Sequence, residues 1–491
     1  MSQAIFTPEP SREGKEFSAA AMRVIEEKNV RIKALEALVE EWREAARAKD
    51  EHIAKLERQL GLDSSNSGKP PSSDGLKKKP RVISLRGPSG KPTGGQTGHR
   101  GVTLCQTGTP DISIDHFPKS CGKCGKALAA QMTCDPVARQ VFEIPEPVVV
   151  VTEHRAHSCR CKSCGTTTRA AFPADVTGPV QYGPRAVAMA RYFQIEQFIP
   201  EDRTSELMTD VFGMGMSAST VAKFTRGSAE RFRGFTEVVG DLVAAAPVKH
   251  MDETGFRVTG KLKWLHLTST ALLTFYRVEE KRGTMQENVT GIIVRDHFKS
   301  YYKMGGVEHA LCNQHHLREL QALADLEKEP WAPKMQRLLR RACHAKNLAA
   351  AAGVPLKPGL TALLMRRYDA ILAEAIAFHE ALPALVRKAK RPGRVAKRIG
   401  HNLALRLHRF KSDVTRFLID PRVPFTNNQA ERDIRMAKLR QKISGGFRTF
   451  QGAVEFATSR SLIATARKLG WNIIQTLMAD PDILIGEVLR I

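Results

Sequence analysis

Three carboxylates are set apart by where they fall in the chain. Asp252 closes the apolar run Ala244–Met251, and Asp296 closes Gly291-Ile292-Ile293-Val294-Arg295. Glu431 lies in the polar stretch Asn427-Asn428-Gln429-Ala430-Glu431-Arg432. Short β-branched runs bounded by turn residues read as buried strands, and an acid at the end of such a strand is held where a polar ligand can reach it. Acids from two strand ends and one helix can hold two Mg²⁺ ions about 3.5–4 Å apart, one activating an attacking oxygen and one stabilising the leaving oxygen of a phosphodiester. Mg²⁺ suits such a site because it takes carboxylate oxygens while keeping waters and substrate phosphates in its shell. Glu253 adjoins Asp252, but successive strand residues face opposite ways, which makes it a poor co-ligand. Asp433 lies about 200° around a helix from Glu431, so the two cannot share one metal pair. Glu431 is the longer, and an Asn427 or Asn428 cap puts it in the first turn, the end that favours negative charge. Asp433 is expected to face solvent or pair with an arginine. For any single acid, an ordinary salt bridge is the alternative.

A second set of residues is organised for metal rather than for catalysis. Cys121-Gly122-Lys123-Cys124-Gly125 and Cys161-Lys162-Ser163-Cys164-Gly165 are two Cys-x-x-Cys-Gly knuckles. Together they complete a tetrahedral structural zinc site with no open position, held by Cys121, Cys124, Cys161 and Cys164. Cys159 could replace Cys161, redox or unliganded cysteines are the alternative, and Cys105 and Cys134 have no paired spacing. Val141–Val151, between the knuckles, reads as strand.

The elements that must position these groups fill a chain of 491 residues, too long for one core, with 42% apolar residues and a formal net charge of +25. Lys and Arg are spread along the chain, which favours a polyanionic partner, and nucleic acid over membrane because no apolar run is long enough to span a bilayer. The N-terminus lacks the apolar core of a signal peptide, so a cytoplasmic location with reduced cysteines is expected. The expected organisation is a multidomain α+β chain. Residues 1–60 form a polar tail and a helix whose heptad seam (Ile25, Ile32, Val39, Ala46, Ile53 and Leu60 with Leu35, Trp42 and Leu56) suits a homo-oligomeric coiled coil, or a long helix packed on its own chain. Residues 61–101 are a basic Ser/Pro/Gly/Lys linker whose Lys77-Lys78-Lys79 either touches phosphates or is merely solvated. Residues 102–178 form the zinc module. Residues 179–240 contain a helix over Pro200–Val211, a glycine-bearing turn, and a second helix capped by Ser217 that carries Lys223 and Arg226. This is the spacing of a helix-turn-helix, although bundles use such turns too. The catalytic core occupies 241–310 and 420–450, a basic helical insertion 311–419, and two C-terminal helices 451–491.

The chain resembles transposases of the insertion sequence 66 family, members of the DDE superfamily with an RNase H-like mixed α/β core. The resemblance rests on the Ser64–Asp74 linker, Gly94-Gly95-Gln96-Thr97-Gly98-His99, the two knuckles, Asp252-Glu253-Thr254 and Asn427-Asn428-Gln429-Ala430-Glu431-Arg432, and covers nearly the whole chain. It implies that Asp252, Asp296 and Glu431 are the catalytic acids, holding Mg²⁺ or Mn²⁺. It also implies a DNA transposase that binds terminal inverted repeats and cuts and joins DNA strands without a covalent enzyme intermediate, with accessory proteins encoded by the same element as further partners. A family Cys-x-x-His falls on Cys312 and His315, but Asn313-Gln314-His315-His316-Leu317-Arg318 departs from the usual surroundings, leaving a functional pair and a packing pair both open. The other functions compatible with the sequence are a catalytically inactive DNA-binding regulator and a nuclease that hydrolyses without joining.

Overall fold

The structure is a computed structural model that describes residues 19–62, 103–129, 137–385 and 397–491. The N-terminal tail, the linker with its Lys77-Lys78-Lys79 run and glycine-rich motif, Cys134, and the basic run at 387–396 lie outside the described residues. The first helix, α1 (Ala19–Gly61), spans 43 residues. Its seam residues Ile32, Leu35, Val39, Trp42, Ile53 and Leu56 are exposed, and near its end Arg58 pairs with Glu327 at 2.6 Å. The knuckles follow. The hairpin of β1 (Ser158–Arg160) and β2 (Thr167–Arg169) flanks the second of them. Val141–Val151, expected as strand, is irregular and exposed. β-branched residues satisfy their backbone groups as a strand only beside a partner strand, and among the described residues none is paired with this segment.

Helices α2 (Pro184–Arg191), α3 (Glu201–Phe212), α4 (Ala218–Arg231) and α5 (Arg233–Ala245) lead into the sheet. Gly213 ends α3 in the left-handed conformation, φ 62°, and the Ser217 hydroxyl caps α4 by accepting from Thr220 N–H at 3.2 Å. Ala190, Met208, Met216 and Val221 pack α2, α3 and α4 into one small core.

Strands β3 (Val248–Val258), β4 (Lys261–Ser269), β5 (Thr274–Glu279), β6 (Gly291–Arg295) and β7 (Val307–Leu311) form a five-stranded sheet in the order β5-β4-β3-β6-β7. The first three are antiparallel neighbours, while β6 and β7 run parallel to β3. Helices α6 (Asn313–Ala322), α7 (Trp331–Ala351), α8 (Pro358–Glu380), α9 (Ile399–Arg409) and α10 (Lys411–Ile419) make up the insertion. They pack against the parallel edge through Ile292, Val294, Ala310 and Leu311. The chain returns in α11 (Asn428–Ser444) and α12 (Phe450–Leu469). Ala430, Ile434, Ala437, Ala453 and Ala457 of these helices cover Phe256, Leu265, Leu267, Tyr276 and Val278 of the antiparallel strands. Ser461 and Thr465 of α12 accept from the N–H groups of Tyr276 and Thr274, at 2.9 and 3.1 Å, so the outer edge of β5 is not left open.

Two boundaries differ from the sequence reading. The run Ala244–Met251 is shared between the end of α5 and the start of β3, so Asp252 sits inside a strand instead of closing one. The alanines at its start suit a helix terminus as well as a strand, and hydrophobicity alone does not divide them. Beyond α12, one expected helix is two, α13 (Ile473–Met478) and α14 (Pro481–Val488), because the Pro481 ring cannot continue α13 and instead starts a helix capped by Asp480. Two glycines are required by the sheet. A Cβ on Gly291 (φ 70°) would lie 2.7 Å from the Pro247 carbonyl oxygen, and one on Gly446 would lie 2.9 Å from that of Arg257.

Candidate active site

The pairing of β3 explains where the acids go. Its parallel ladder with β6 ends at His250↔Val294, while its antiparallel ladder with β4 continues through Asp252↔Leu267. Asp252 therefore lies two residues past the last parallel pair, and Asp296 directly follows the last residue of β6. Carboxyl ends of parallel strands, where the sheet changes direction of growth, are where open α/β sheets place ligands. Glu431 is in the first turn of α11, which crosses β3. Burial drives the Asp252 carboxyl well above the usual carboxylate range, and the charges of Glu253, Asp296 and Glu431 raise it further against a hydrogen bond from Glu253 N–H. Asp296 and Glu431 thus both lie within electrostatic reach of Asp252. Asp252 Oδ1 accepts from Glu253 N–H at 2.9 Å and Asp296 Oδ1 from Phe298 N–H at 2.8 Å, which orients both. Oε1 of Glu431 is buried with no hydrogen-bond partner among the described residues.

Residues outside the expected set hold this arrangement. Asn427 stands at the N-cap of α11, but its side chain does not cap the helix. Its Oδ1 meets His250 Nδ1 at 2.8 Å, its Nδ2 donates to the Met251 carbonyl at 2.8 Å, and its backbone N–H donates to Cys312 Sγ at 3.2 Å. The expected capping bond is replaced because the amide ties the first turn of α11 to β3, one residue from Asp252. Burial lowers the pKa of His250, which keeps that tie free of charge near neutral pH. Glu253 is used elsewhere. Arg282 binds its Oε1 through Nε and a terminal nitrogen at 2.9 and 2.7 Å, and the Tyr301 hydroxyl donates to its Oε2 at 2.5 Å. Asp433 pairs with Lys468 at 2.8 Å, where an arginine or solvent was expected. The lysine ammonium also donates to the Thr270 and Leu273 carbonyls at 2.8 and 3.2 Å, so three acceptors from two separate segments meet on one lysine.

His315, in the first turn of α6, stands beside the acids. Burial would lower its pKa, but the adjoining Cys312 and the charges of Glu431 and Asp296 outweigh this and raise it to about 9. The neighbouring His316 is fully buried and held neutral, with Nε2 2.8 Å from His297 Nε2 and Nδ1 3.0 Å from Asn313 Oδ1.

In the zinc module each knuckle closes on its first cysteine. Gly125 N–H and Gly165 N–H donate to the Cys121 and Cys161 carbonyls, both at 2.9 Å, and both glycines are left-handed. Backbone N–H groups of Cys124 and Lys123 lower the Cys121 thiol pKa, and those of Cys164 and Ser163 lower that of Cys161. Each lowered thiol pKa favours the thiolate form, and each of these cysteines has a partner three residues on, which matches the donor chemistry of zinc. Cys159 lies in β1 opposite Thr168, outside the knuckle turn that Cys161 begins. Among the described residues no three of these sulfurs come within 4.8 Å of one another, so a shared ion would draw the two knuckles together. Lys223 and Arg226 are both exposed on α4, Arg226 lying 3.9 Å from Glu455.

Residues 118–165, which span both knuckles, match the zinc-finger binding domain of transposase IS66, which supports a structural zinc ion. Residues 179–455, more than half of the chain, match the transposase IS66 family, and the chain belongs to that family. Residues 22–104 match a family of unknown function. A search of curated proteins finds no match. Among the described residues, no helix is long and apolar enough to cross a membrane.

Proposed function

We propose that this transposase binds the terminal inverted repeats of its insertion element and carries out metal-dependent DNA cleavage and strand transfer at a DDE site of Asp252, Asp296 and Glu431. The observation that carries the reading is the convergence of these acids from β3, β6 and α11 in a buried setting where each raises the cost of ionising Asp252. Three crowded carboxylates, one with a buried unpartnered oxygen, fit Mg²⁺ or Mn²⁺, and Asp252, Asp296 and Glu431 would hold it. Bound there, two such ions supply an activated attacking oxygen and charge stabilisation at the leaving oxygen. The chain's own part is to orient the carboxylates through the Glu253 and Phe298 N–H groups and to fix the α11 acid against β3 through Asn427. The sheet order, three antiparallel strands followed by two parallel ones, supports an RNase H-like core within 241–310 and 420–450.

DNA binding is assigned to the zinc module, to α4 of the helix-turn-helix with Lys223 and Arg226, and to the net charge of +25. The exposed apolar seam of α1 supports a coiled coil that brings two ends together. The test is incubation of the protein with labelled terminal repeats and Mg²⁺, comparing wild type with Asp252→Ala. Joined products that depend on Asp252 support the reading. Binding without cleavage would make the chain a DNA-binding regulator, and nicks without joining would make it a nuclease.

A further inference from the structure

Cys312, His315 and Glu431 each offer one ligand atom, and these atoms lie within 4.8 Å of one another. The fold brings them together from three places: Cys312 follows β7, His315 is three residues on in α6, and Glu431 opens α11. Cys312 is buried, and Nδ1 of His315 and Oε1 of Glu431 are both buried polar atoms with no hydrogen-bond partner among the described residues. Leaving such groups unpaired costs on the order of 1–3 kcal/mol each, so two at one spot mark a place prepared for a ligand. The ligand class follows from the donors. A carboxylate triad selects hard ions such as Mg²⁺, whereas sulfur, imidazole and one carboxylate select a borderline ion, Zn²⁺ first. Zinc bonds of about 2.0–2.3 Å put tetrahedral donors roughly 3.4–3.8 Å apart, so a separation of up to 4.8 Å leaves at most about 1–1.4 Å to close. The three chain ligands leave a fourth position open, unlike the four-cysteine module.

We propose that Cys312, His315 and Glu431 form a second zinc site, distinct from the structural zinc module. Because the site uses Glu431, zinc bound there withdraws that carboxylate from the Mg²⁺ site. This consequence for activity rests on the DDE reading; the binding itself does not. Asn427 couples the two sites physically, since its N–H donates to Cys312 Sγ while its side chain holds β3 beside Asp252.

The experiment uses the full chain with its structural zinc in place, titrated with Co²⁺ and followed by the near-ultraviolet thiolate-to-cobalt absorption and by bound metal per chain. One additional ion with a single-thiolate band is expected for wild type. Cys312→Ser keeps the size of the side chain and an acceptor for the Asn427 N–H, and should abolish the band. His315→Gln should weaken binding of the added ion by at least tenfold, and Glu431→Gln should also weaken it. Circular dichroism of each variant confirms that it is folded. No additional ion on wild type, or an unchanged band in folded Cys312→Ser, overturns the proposal. Zinc inhibition of strand cleavage by wild type in excess Mg²⁺ is the separate readout for the DDE reading. Co²⁺ binding that requires Cys312, without zinc inhibition, would keep the site and sink its link to catalysis.

Discussion

Neutralising Glu431 should remove catalysis and leave stability nearly unchanged, whereas neutralising Asp433, two residues on, should cost stability and spare activity. Glu431→Gln keeps the shape of the side chain but takes away one of the carboxylates that crowd Asp252. At an effective dielectric near 20, like charges about 6–8 Å apart repel by roughly 2–3 kcal/mol, but the same carboxylate attracts the protonated His315 beside it, so the two offset to within about 1 kcal/mol. The metal-free variant should therefore melt within a few degrees of wild type. Loss of a metal-holding carboxylate should lower cleavage and joining by about 10³-fold or more. Asp433→Asn breaks the 2.8 Å pair with Lys468, whose side chains are 16% and 12% exposed. That burial puts the loss above the 0–1 kcal/mol of a surface pair. The Thr270 and Leu273 carbonyls still hold the ammonium, which keeps the loss below the 3–5 kcal/mol of a stranded buried charge. A destabilisation of about 1–2 kcal/mol with substantial activity follows. The assays are thermal unfolding in chelator and a Mg²⁺-dependent joining reaction on labelled element ends. A Glu431→Gln variant that joins DNA, or an Asp433→Asn variant that is folded and inactive, would refute the reasoning.

Three further outcomes are expected. Because the folded-state pKa of Asp252 is raised, its contribution to stability is fully present below the pKa it has when unfolded and is lost as pH rises through the folded value; in chelator, melting temperature should fall over that window, and Asp252→Asn should flatten the fall. Cys124→Ser should release zinc and loosen residues 105–175, read by metal analysis and limited proteolysis; a zinc-free wild type with that region folded would contradict the assignment. DNA affinity governed by roughly 6–10 phosphate contacts should fall by about 10³–10⁵ between 50 and 200 mM salt, and replacing Lys223 and Arg226 should weaken binding to element ends; a flat salt response would speak against direct DNA binding, and unaltered binding by the variant would move readout away from α4.

Much of this protein was legible in its sequence because the informative signals were local. The knuckles are five-residue turns whose glycines sit where left-handed backbone is needed. The β-branched run Gly291–Arg295 is a strand over those same residues, and Ser217 caps a helix as its type and position suggest. The strands β5 and β7 were missed for different reasons. In β5 the alternation of buried Thr274, Tyr276 and Val278 is a period-two signal that was present but short, whereas Val307-Glu308-His309-Ala310-Leu311 is a strand only because β6 lies beside it.

What tertiary structure alone decided is how residues distant in the chain meet. Nothing local says that Asn427 spends its side chain on His250 and Met251 instead of its own helix, that Lys468 is the partner of Asp433, or that Cys312 and His315 arrive at Glu431. Each of these contacts spans 35 to 177 residues and exists because the insertion packs on the parallel edge of the sheet and α11 and α12 return over its antiparallel strands. Residue type fixes what a side chain can bond to, but among many chemically equivalent partners the choice is made by which backbone segments pack together. That is a property of the assembled core rather than of any stretch of sequence.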